Sequence, residues 1–296
     1  MILRSEDQLR ADIIEVGRRL HVREYVASND GNISVRLDGD RILTTPTGVS
    51  KGFMTPDMMV ITDLTGTRLS GNRQASSELL MHLEVYRSRP DIQAVVHAHP
   101  PVATGFAVAG IPLDRAVLAE VIATLGSIPI ADYGTPSTRE LADAVGKYIK
   151  AHDGLLLANH GALTAARDLF AAYYKMETIE HFARISIVAR LLGRERLLSR
   201  EEVLRLESLR GRYGVASPAP ICADGSMAAP AASDQAVECQ FVQAPSSPGA
   251  RLVDNGLSGR SAAGLTSPRP AGGDEEIRLT YRELTALIED AVKSLQ

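Results

Sequence analysis

Apolar residues recur along the chain at two spacings, one typical of helices and one typical of strands. Behind the capping-box pattern Ser5-Glu6-Asp7-Gln8, the helical spacing predicts a helix over 5–27. Alternating apolar residues that begin at Ile33 predict a half-buried strand, with 41–45 as its hairpin partner. The further predicted strands are 60–62, 94–98, 128–130 and 155–158, and the further predicted helices are 77–87, 138–150, 169–192 and 200–212. We therefore expect an α/β fold with a central mixed sheet covered by helices.

The pattern changes near Ala216, where the chain becomes rich in proline, alanine, serine and glycine. Such a composition buries too little apolar surface to offset the entropy of ordering, so 216–275 is predicted to be a flexible linker. The predicted organisation is thus a globular domain over 1–215, this linker, and a last segment over 276–296.

The last segment has the pattern of an amphipathic helix, with the capping box Thr280-Tyr281-Arg282-Glu283 at its start. Its apolar stripe is formed by Leu284, Leu287, Ile288, Ala291, Val292 and Leu295. A helix this short is marginal alone in water, so the stripe indicates a partner surface. The helix either folds back onto the first domain or docks elsewhere, and the long linker favours docking elsewhere. Both charge signs on its polar face favour a protein groove over an anionic membrane.

Composition excludes several classes of function. A formal net charge of -4 argues against a dedicated nucleic-acid binder. Cys222 and Cys239 provide neither a disulfide framework nor zinc-finger spacing, and no apolar run reaches membrane-spanning length. The N-terminal residues lack the apolar region of a signal peptide, so we expect a cytoplasmic protein.

Three histidines are candidate metal ligands. In a strand, His97 and His99 share a face, and His160 lies in the turn-like sequence Asn159-His160-Gly161. Three nitrogen ligands leave one position of a zinc ion open for chemistry. A lone His-x-His pair is also compatible with satisfied side chains at a strand end.

Glu78 follows Ser76-Ser77 at a predicted helix start. There it could be a fourth metal ligand, a general base, or a capping acid at the helix N-terminus. Backbone N–H groups and hydroxyls in 29–32, 45–48 and 76–77 are suited to bind a phosphate. The other histidines are given no functional role: His21, His82, His152 and His181.

These motifs, in this order, resemble the class II aldolase and adducin family from about Leu9 to Gly214. The resemblance implies a three-layer αβα fold and one Zn²⁺ per subunit on His97, His99 and His160. It implies that Glu78 ligates the metal at rest and acts as acid/base once substrate displaces it. The implied phosphate ligands are Asn32, Thr47, Gly48, Ser76 and Ser77.

The same resemblance implies cleavage of a 1-phosphoketose, such as L-fuculose 1-phosphate, into dihydroxyacetone phosphate and an aldehyde such as lactaldehyde. It also implies a homotetramer with active sites between subunits, which Tyr213 would close. One departure concerns a tyrosine that the fuculose-type members carry at the position of Leu118. Either Glu120 or Tyr133 takes its role, or the substrate differs.

Other activities on this scaffold stay open. They are a pentulose-phosphate 4-epimerase, a 5-deoxy- or methylthio-pentulose-phosphate aldolase, and a 3-oxo-acid-phosphate decarboxylase. The epimerase branch usually carries aspartate at the position of Glu78, which favours the aldolase. An adducin-like interaction protein without metal is the non-enzyme alternative, and the intact set of candidate ligands argues against it.

The linker and final helix resemble the encapsulation peptides of enzymes housed in bacterial microcompartments. The resemblance implies that the last helix binds a compartment shell or other cargo. Confinement would suit an enzyme whose aldehyde product is volatile or toxic.

Overall fold

The computed structural model describes residues 4–213, 215 and 217–221. One eight-stranded sheet forms its centre, with the strand order β4-β3-β2-β1-β5-β8-β7-β6. The strands are β1 (Asn32–Asp38), β2 (Arg41–Thr44), β3 (Val60–Thr62), β4 (Arg68–Ser70), β5 (Ala94–Ala98), β6 (Ile130–Ala131), β7 (Gly154–Leu157) and β8 (Gly161–Ala166). Neighbouring strands are antiparallel except β6 and β7, which are parallel, so the predicted mixed sheet is confirmed.

The helices are α1 (Glu6–Val22), α2 (Leu79–Ser88), α3 (Pro101–Ala109), α4 (Ala119–Thr124), α5 (Arg139–Ile149), α6 (Leu169–Leu191) and α7 (Arg200–Leu209). The predicted capping box of α1 is present, because the Ser5 side chain accepts from the Gln8 backbone while the Gln8 side chain accepts from the Ser5 backbone. This helix ends at Val22 and not at the predicted residue 27. Just beyond its end, Glu24 adopts a left-handed φ of 60°. None of the helices in the described ranges is long and apolar enough to cross a bilayer.

Each face of the sheet carries its own apolar core. On one face, α1, α3 and α6 pack on residues such as Ile33, Val35 and Val96. On the other face, α2 and α5 pack on residues such as Val95 and Leu163. The chain therefore has the expected three-layer αβα fold, which arises because alternate residues of each strand point to opposite faces.

Strand register brings β1, β5 and β8 together at the middle of the sheet. Asn32 of β1 lies opposite His97 of β5, and Ala98 of β5 lies opposite Ala162 of β8. The end of β5, the start of β1 and the β7–β8 turn consequently meet at one end of these central strands. Apart from 217–221, the predicted linker and the predicted last helix lie outside the described residues.

Candidate active site

Three imidazoles converge where β5 ends. His97 is the fourth residue of β5, His99 lies one residue past its end, and His160 lies in the turn between β7 and β8. One ring nitrogen from each lies within 4.8 Å of those of the other two. The Nε2 atoms of His97 and His99 are 3.1 Å apart. The sequence-predicted trio is therefore assembled, although only His97 belongs to the strand itself.

The β7–β8 turn brings His160 against the other two histidines through a left-handed residue before it and a close backbone approach after it. Asn159 adopts a left-handed φ of 55°, a conformation that asparagine tolerates better than most residues. A Cβ atom on Gly161 would lie 2.5 Å from Cδ2 of His99 and 2.6 Å from the backbone oxygen of Ala98. Only glycine allows this close approach, so the Asn-His-Gly sequence is required locally.

Hydrogen bonds from Nδ1 of His97 and of His99 orient the other ring nitrogen, Nε2, toward the centre of the cluster. His97 Nδ1–H donates to the backbone oxygen of Ala162 at 2.8 Å, and His99 Nδ1–H donates to Oδ2 of Asp30 at 2.7 Å. With Nδ1 protonated, each neutral ring keeps a lone pair on Nε2. Burial lowers the pKa of His97 to about 3, although the adjacent Glu78 opposes this shift. The ring is therefore neutral at physiological pH.

Glu78 lies against the histidines and does not act as a helix cap. It occupies the N-cap position of α2, but its side chain makes no capping hydrogen bond. Its Oε1 is 3.0 Å from Nε2 of His160, and its Oε2 is 3.4 Å from Nε2 of His97. Asn32 Nδ2 donates to Oε2 at 2.7 Å.

The pKa of the Glu78 carboxyl reflects two opposed effects. Burial raises this pKa, but His97 and the hydrogen bonds from His160 and Asn32 outweigh burial and hold it well below its usual range. The group is therefore a carboxylate at rest. Of the three alternatives that the sequence left open, the geometry supports a ligand or an acid/base and disfavours a capping acid.

The donor set at this centre fits a divalent metal ion. Three imidazoles and a carboxylate meet at one point, and each type of ligand is one that zinc accepts. A site with three imidazoles, in which a carboxylate can yield its position, leaves room for a substrate oxygen.

The predicted phosphate-binding segments lie beside Glu78. Pro46 and Ala75 form an isolated antiparallel bridge, and the Ser76 N–H donates to the backbone oxygen of Thr45 at 3.1 Å. This pairing places Thr45 opposite Ser76 and Thr47 opposite Gln74, so the segments 45–48 and 76–77 are joined just before α2 begins. Asn32, also predicted to bind phosphate, is instead buried with its amide on Glu78.

Two residues at the site were missed by sequence reasoning. One is Asp30, which was included only as part of a turn, and whose carboxylate orients His99. The other is Lys51, whose side chain is 1% exposed. Its Nζ donates to the backbone oxygens of Asn29 at 2.8 Å and Val49 at 2.7 Å. Lys51 therefore ties two of the predicted phosphate-binding loops together.

Burial lowers the pKa of Lys51 to about 8, while Asp30 and Glu78 raise it and limit the fall. No spacing in the sequence signals such a lysine, because its partners are backbone carbonyls. The group keeps most of its positive charge at neutral pH, where that charge favours an anion nearby.

Within the described residues of one chain, no hydrogen bond or ion pair joins the remaining predicted site residues to the histidines. Glu120 is exposed in the first turn of α4, and Tyr133 is 61% exposed just beyond β6. Tyr213 is 60% exposed and lines a cavity of about 270 Å³ with Arg89 and Lys175. That cavity borders the start of β5 and the end of β8, at the opposite end of these strands from the histidines.

Comparison with known proteins identifies the family. Residues 11–187 match the family described as the class II aldolase and adducin N-terminal domain. The chain belongs to this family, and it is a class II aldolase, a carbon–carbon lyase of a metal-dependent kind. An L-fuculose 1-phosphate aldolase structure superposes with a TM-score of 0.65 at 32% identity, covering 70% of this chain and 97% of that one.

The similar proteins carry more than one activity in their names. An L-fuculose phosphate aldolase of Methanococcus maripaludis is 37% identical over 60% of this chain and 95% of its own length. A 5-deoxy-D-ribulose 1-phosphate aldolase of Bacillus thuringiensis is 33% identical over 72% of this chain and 99% of its own. A 3-oxo-tetronate 4-phosphate decarboxylase of Pectobacterium atrosepticum is 30% identical over 63% of this chain and 87% of its own length.

Proposed function

We propose that this protein is a zinc-dependent aldolase that cleaves L-fuculose 1-phosphate or a related 1-phosphoketose into dihydroxyacetone phosphate and an aldehyde. The observation that carries the proposal is the position of Glu78. Its carboxylate lies 3.0 Å from His160 Nε2 and 3.4 Å from His97 Nε2, within a cluster of three imidazoles suited to a metal.

His97, His99 and His160 would hold the zinc ion, with Glu78 as a further ligand before substrate arrives. When bound, zinc supplies a Lewis acid that stabilises the negative charge developing on the substrate oxygens during carbon–carbon cleavage. Displacement of the Glu78 carboxylate by substrate separates it from the imidazoles that lower its pKa. Glu78 can then take up a proton from solvent at its carboxyl oxygen and deliver it to the carbanionic carbon next to the ketone, while the proton lost by the leaving hydroxyl returns to solvent.

The departing aldehyde requires a second group, which accepts a proton. As the carbon–carbon bond breaks, the hydroxyl on the leaving carbon loses its proton. Glu120 and Tyr133 are our candidates for this role, since Leu118 stands where fuculose-type members carry a tyrosine. The phosphate is assigned to Thr47, Gly48, Ser76 and Ser77, with Asn32 beside them and the Lys51 charge behind the loops.

A homotetramer would complete the site. Tyr213 is exposed and far from the histidines of its own chain, as expected for a residue that closes the site of a neighbouring subunit. We further propose that 276–296 directs the enzyme into a bacterial microcompartment. Diffuse fluorescence from a fluorescent protein fused to 275–296, co-expressed with shell proteins, would contradict that assignment.

A 5-deoxypentulose 1-phosphate is the second candidate substrate. The specific observation in its favour is Leu118, which removes the tyrosine expected to handle the aldehyde oxygen of the fuculose substrate. The relative named for the 5-deoxy-D-ribulose activity also covers more of this chain than the relative named for the fuculose activity. Both substrates would yield dihydroxyacetone phosphate.

Product analysis across a panel of substrates tests the proposal. Zinc-loaded protein is incubated separately with L-fuculose 1-phosphate, 5-deoxy-D-ribulose 1-phosphate, a pentulose 5-phosphate and 3-oxo-tetronate 4-phosphate. We expect dihydroxyacetone phosphate and an aldehyde from one of the first two. Carbon dioxide from the last substrate alone would identify a decarboxylase, and an epimeric pentulose phosphate would identify an epimerase.

A further inference from the structure

Strand β1 and helix α2 are joined by polar contacts at three successive levels, which we call the β1–α2 ladder. At the first level, Asn32 donates to Glu78 at 2.7 Å. At the second, Ser34 Oγ is 2.7 Å from Nδ1 of His82 and 2.8 Å from the hydroxyl of Tyr86. At the third level, Arg36 donates to the backbone oxygen of Tyr86 at 3.0 Å.

The ladder repeats with matching steps on the two elements. Asn32, Ser34 and Arg36 are alternate residues of β1, so they point to one face and lie roughly 6.7 Å apart. Their partners on α2 are spaced by four residues, which corresponds to about 6 Å along a helix. The nearly equal steps let the three strand residues follow the helix from Glu78 to Tyr86, with Tyr86 shared by the second and third levels. The height of α2 along β1 is thereby fixed by directional bonds.

The second level of the ladder is fully buried. Ser34 is 0% exposed, and His82 and Tyr86 are each 1% exposed. Burial lowers the pKa of His82 to about 4 and raises the pKa of Tyr86, so both side chains are neutral hydrogen-bonding groups. A shift of α2 along β1 would leave these groups without partners, and a buried polar group without a partner is costly.

Apolar packing alone does not fix the height of α2. Its apolar residues, such as Leu79 and Leu83, pack in the core between the sheet and α5. Hydrophobic burial is non-directional, so it does not by itself specify one position of the helix along the strand. Because Glu78 stands at the start of α2 without a capping bond, sliding of the helix would move its carboxylate along the cluster of imidazoles.

We propose that Ser34, His82 and Tyr86 are positioning residues that hold the Glu78 carboxylate on the histidine cluster. The proposal deepens the proposed function and rests on it for the catalytic consequence. Productive geometry at a catalytic centre requires placement within about 0.5 Å, and directional hydrogen bonds specify such a position where non-directional apolar burial does not.

Two variants break the second level, Ser34→Ala and His82→Leu. A third, His82→Asn, restores a hydrogen-bonding group near the position of Nδ1. Thr164→Val is the matched control, because Thr164 is also buried on a strand and donates to a helix carbonyl, that of Ala172 at 2.8 Å. It lies on β8 and contacts α6, away from the ladder.

Crystal structures of the metal-loaded proteins give the deciding measurement. We expect the Glu78 carboxylate to shift relative to the histidines by about 0.5 Å or more in Ser34→Ala and His82→Leu. It should keep its wild-type position in His82→Asn and Thr164→Val. A carboxylate that stays in place in both Ser34→Ala and His82→Leu overturns the proposal, whatever the activity of those proteins.

Kinetics supply the catalytic consequence. The two ladder-breaking variants should lose about tenfold or more in kcat while KM changes by a smaller factor, because Thr47 and Gly48, which are assigned to the phosphate, lie outside the ladder. His82→Asn should recover most of the loss. A wild-type protein that cleaves no phosphoketose contradicts the proposed function alone, since the crystallographic comparison tests the ladder without any turnover.

Discussion

At the scale of single residues, the site depends on the hydrogen-bond partner of each functional side chain on the side that faces away from the histidine cluster. His97 and His99 use Nδ1 on a carbonyl and a carboxylate, which directs Nε2 inward. Glu78 uses Asn32 in the same way. The sequence reveals the inner groups through short motifs, whereas their partners come from distant positions and carry no motif.

Asp30 is the clearest of these outer partners, and its removal gives the first prediction. Asp30→Asn takes away the negative charge that orients His99 and strengthens it as a ligand. We expect metal affinity to fall about ten- to hundredfold, measured by competition with a chromogenic chelator. Asp63→Asn is the control, because Asp63 is only partly buried and its side chain bonds to its own loop. Equal affinity in Asp30→Asn and wild type would refute this role.

Glu78 itself gives the second prediction. Glu78→Gln preserves the shape of the side chain but removes its ability to exchange a proton. Turnover should fall on the order of a hundredfold or more, as is usual on loss of a general acid/base. Metal content, measured by atomic absorption, should remain close to that of the wild type because the three imidazoles are intact. Full activity in this variant would show that the proton comes from another group.

At the scale of elements, sequence reasoning found those with strong periodicity and missed those without it. The pattern over 169–192 agrees closely with α6, and the pattern over 94–98 agrees with β5. Strand β8 was missed because its sequence, Gly-Ala-Leu-Thr-Ala-Ala, is buried throughout and has no alternation. Its small residues suit a strand packed closely between β5 and β7.

The same limit applies to the site. The three histidines and Glu78 could be found because each lies in a short, unusual motif. The β1–α2 ladder could not, since Ser34 and His82 each look ordinary alone and meet only through the fold. Helix α3, which follows His99-Pro100, was also unpredicted. Its first N–H groups donate to the buried Glu180 of α6, a partner far along the chain.

Burial of His82 gives a prediction at the element scale about pH. Its pKa falls from an ordinary value of 6.5 to about 4 because burial disfavours the charged ring. The unfolded chain therefore binds more protons between these values. The stabilisation is fully present above pH 6.5 and is lost as pH falls through about 4.

His82→Leu removes this titration and retains every other titratable residue of the chain. Its free energy of unfolding should decline less steeply than that of the wild type between pH 6.5 and 4. Urea denaturation of the two metal-free proteins across that range measures the difference, and His97 contributes equally to both. Parallel curves would mean that His82 is not buried in its neutral form.

At the scale of the whole molecule, one chain assembles the metal ligands, Glu78 and the phosphate-binding loops but not the outlying residues. Tyr213 lines a cavity at the end of the central strands that is opposite to the histidines. Glu120 and Tyr133 are exposed. If the protein is a tetramer, these side chains are available to a neighbouring subunit, which explains why a tyrosine late in the chain could matter for chemistry.

Mixed oligomers test whether Tyr213 acts between subunits. Glu78→Gln and Tyr213→Phe should each lower turnover strongly in the pure state. When the two variants are co-expressed, about a quarter of the sites of a randomly mixed cyclic oligomer would combine an intact Glu78 with an intact Tyr213 from the neighbour. Activity should therefore recover well above that of either variant. No recovery in verified mixed oligomers would place Tyr213 within its own subunit or outside the reaction.

The central claim is that the three histidines hold a zinc ion required for aldol cleavage beside Glu78. The most direct test follows dihydroxyacetone phosphate release from L-fuculose 1-phosphate and 5-deoxy-D-ribulose 1-phosphate before chelation, after chelation, and after zinc is restored. We predict release from one substrate that disappears on chelation and returns with about one zinc per subunit, but not in His97→Ala. Undiminished release by metal-free protein, or no release from either substrate by zinc-loaded protein, would contradict the account.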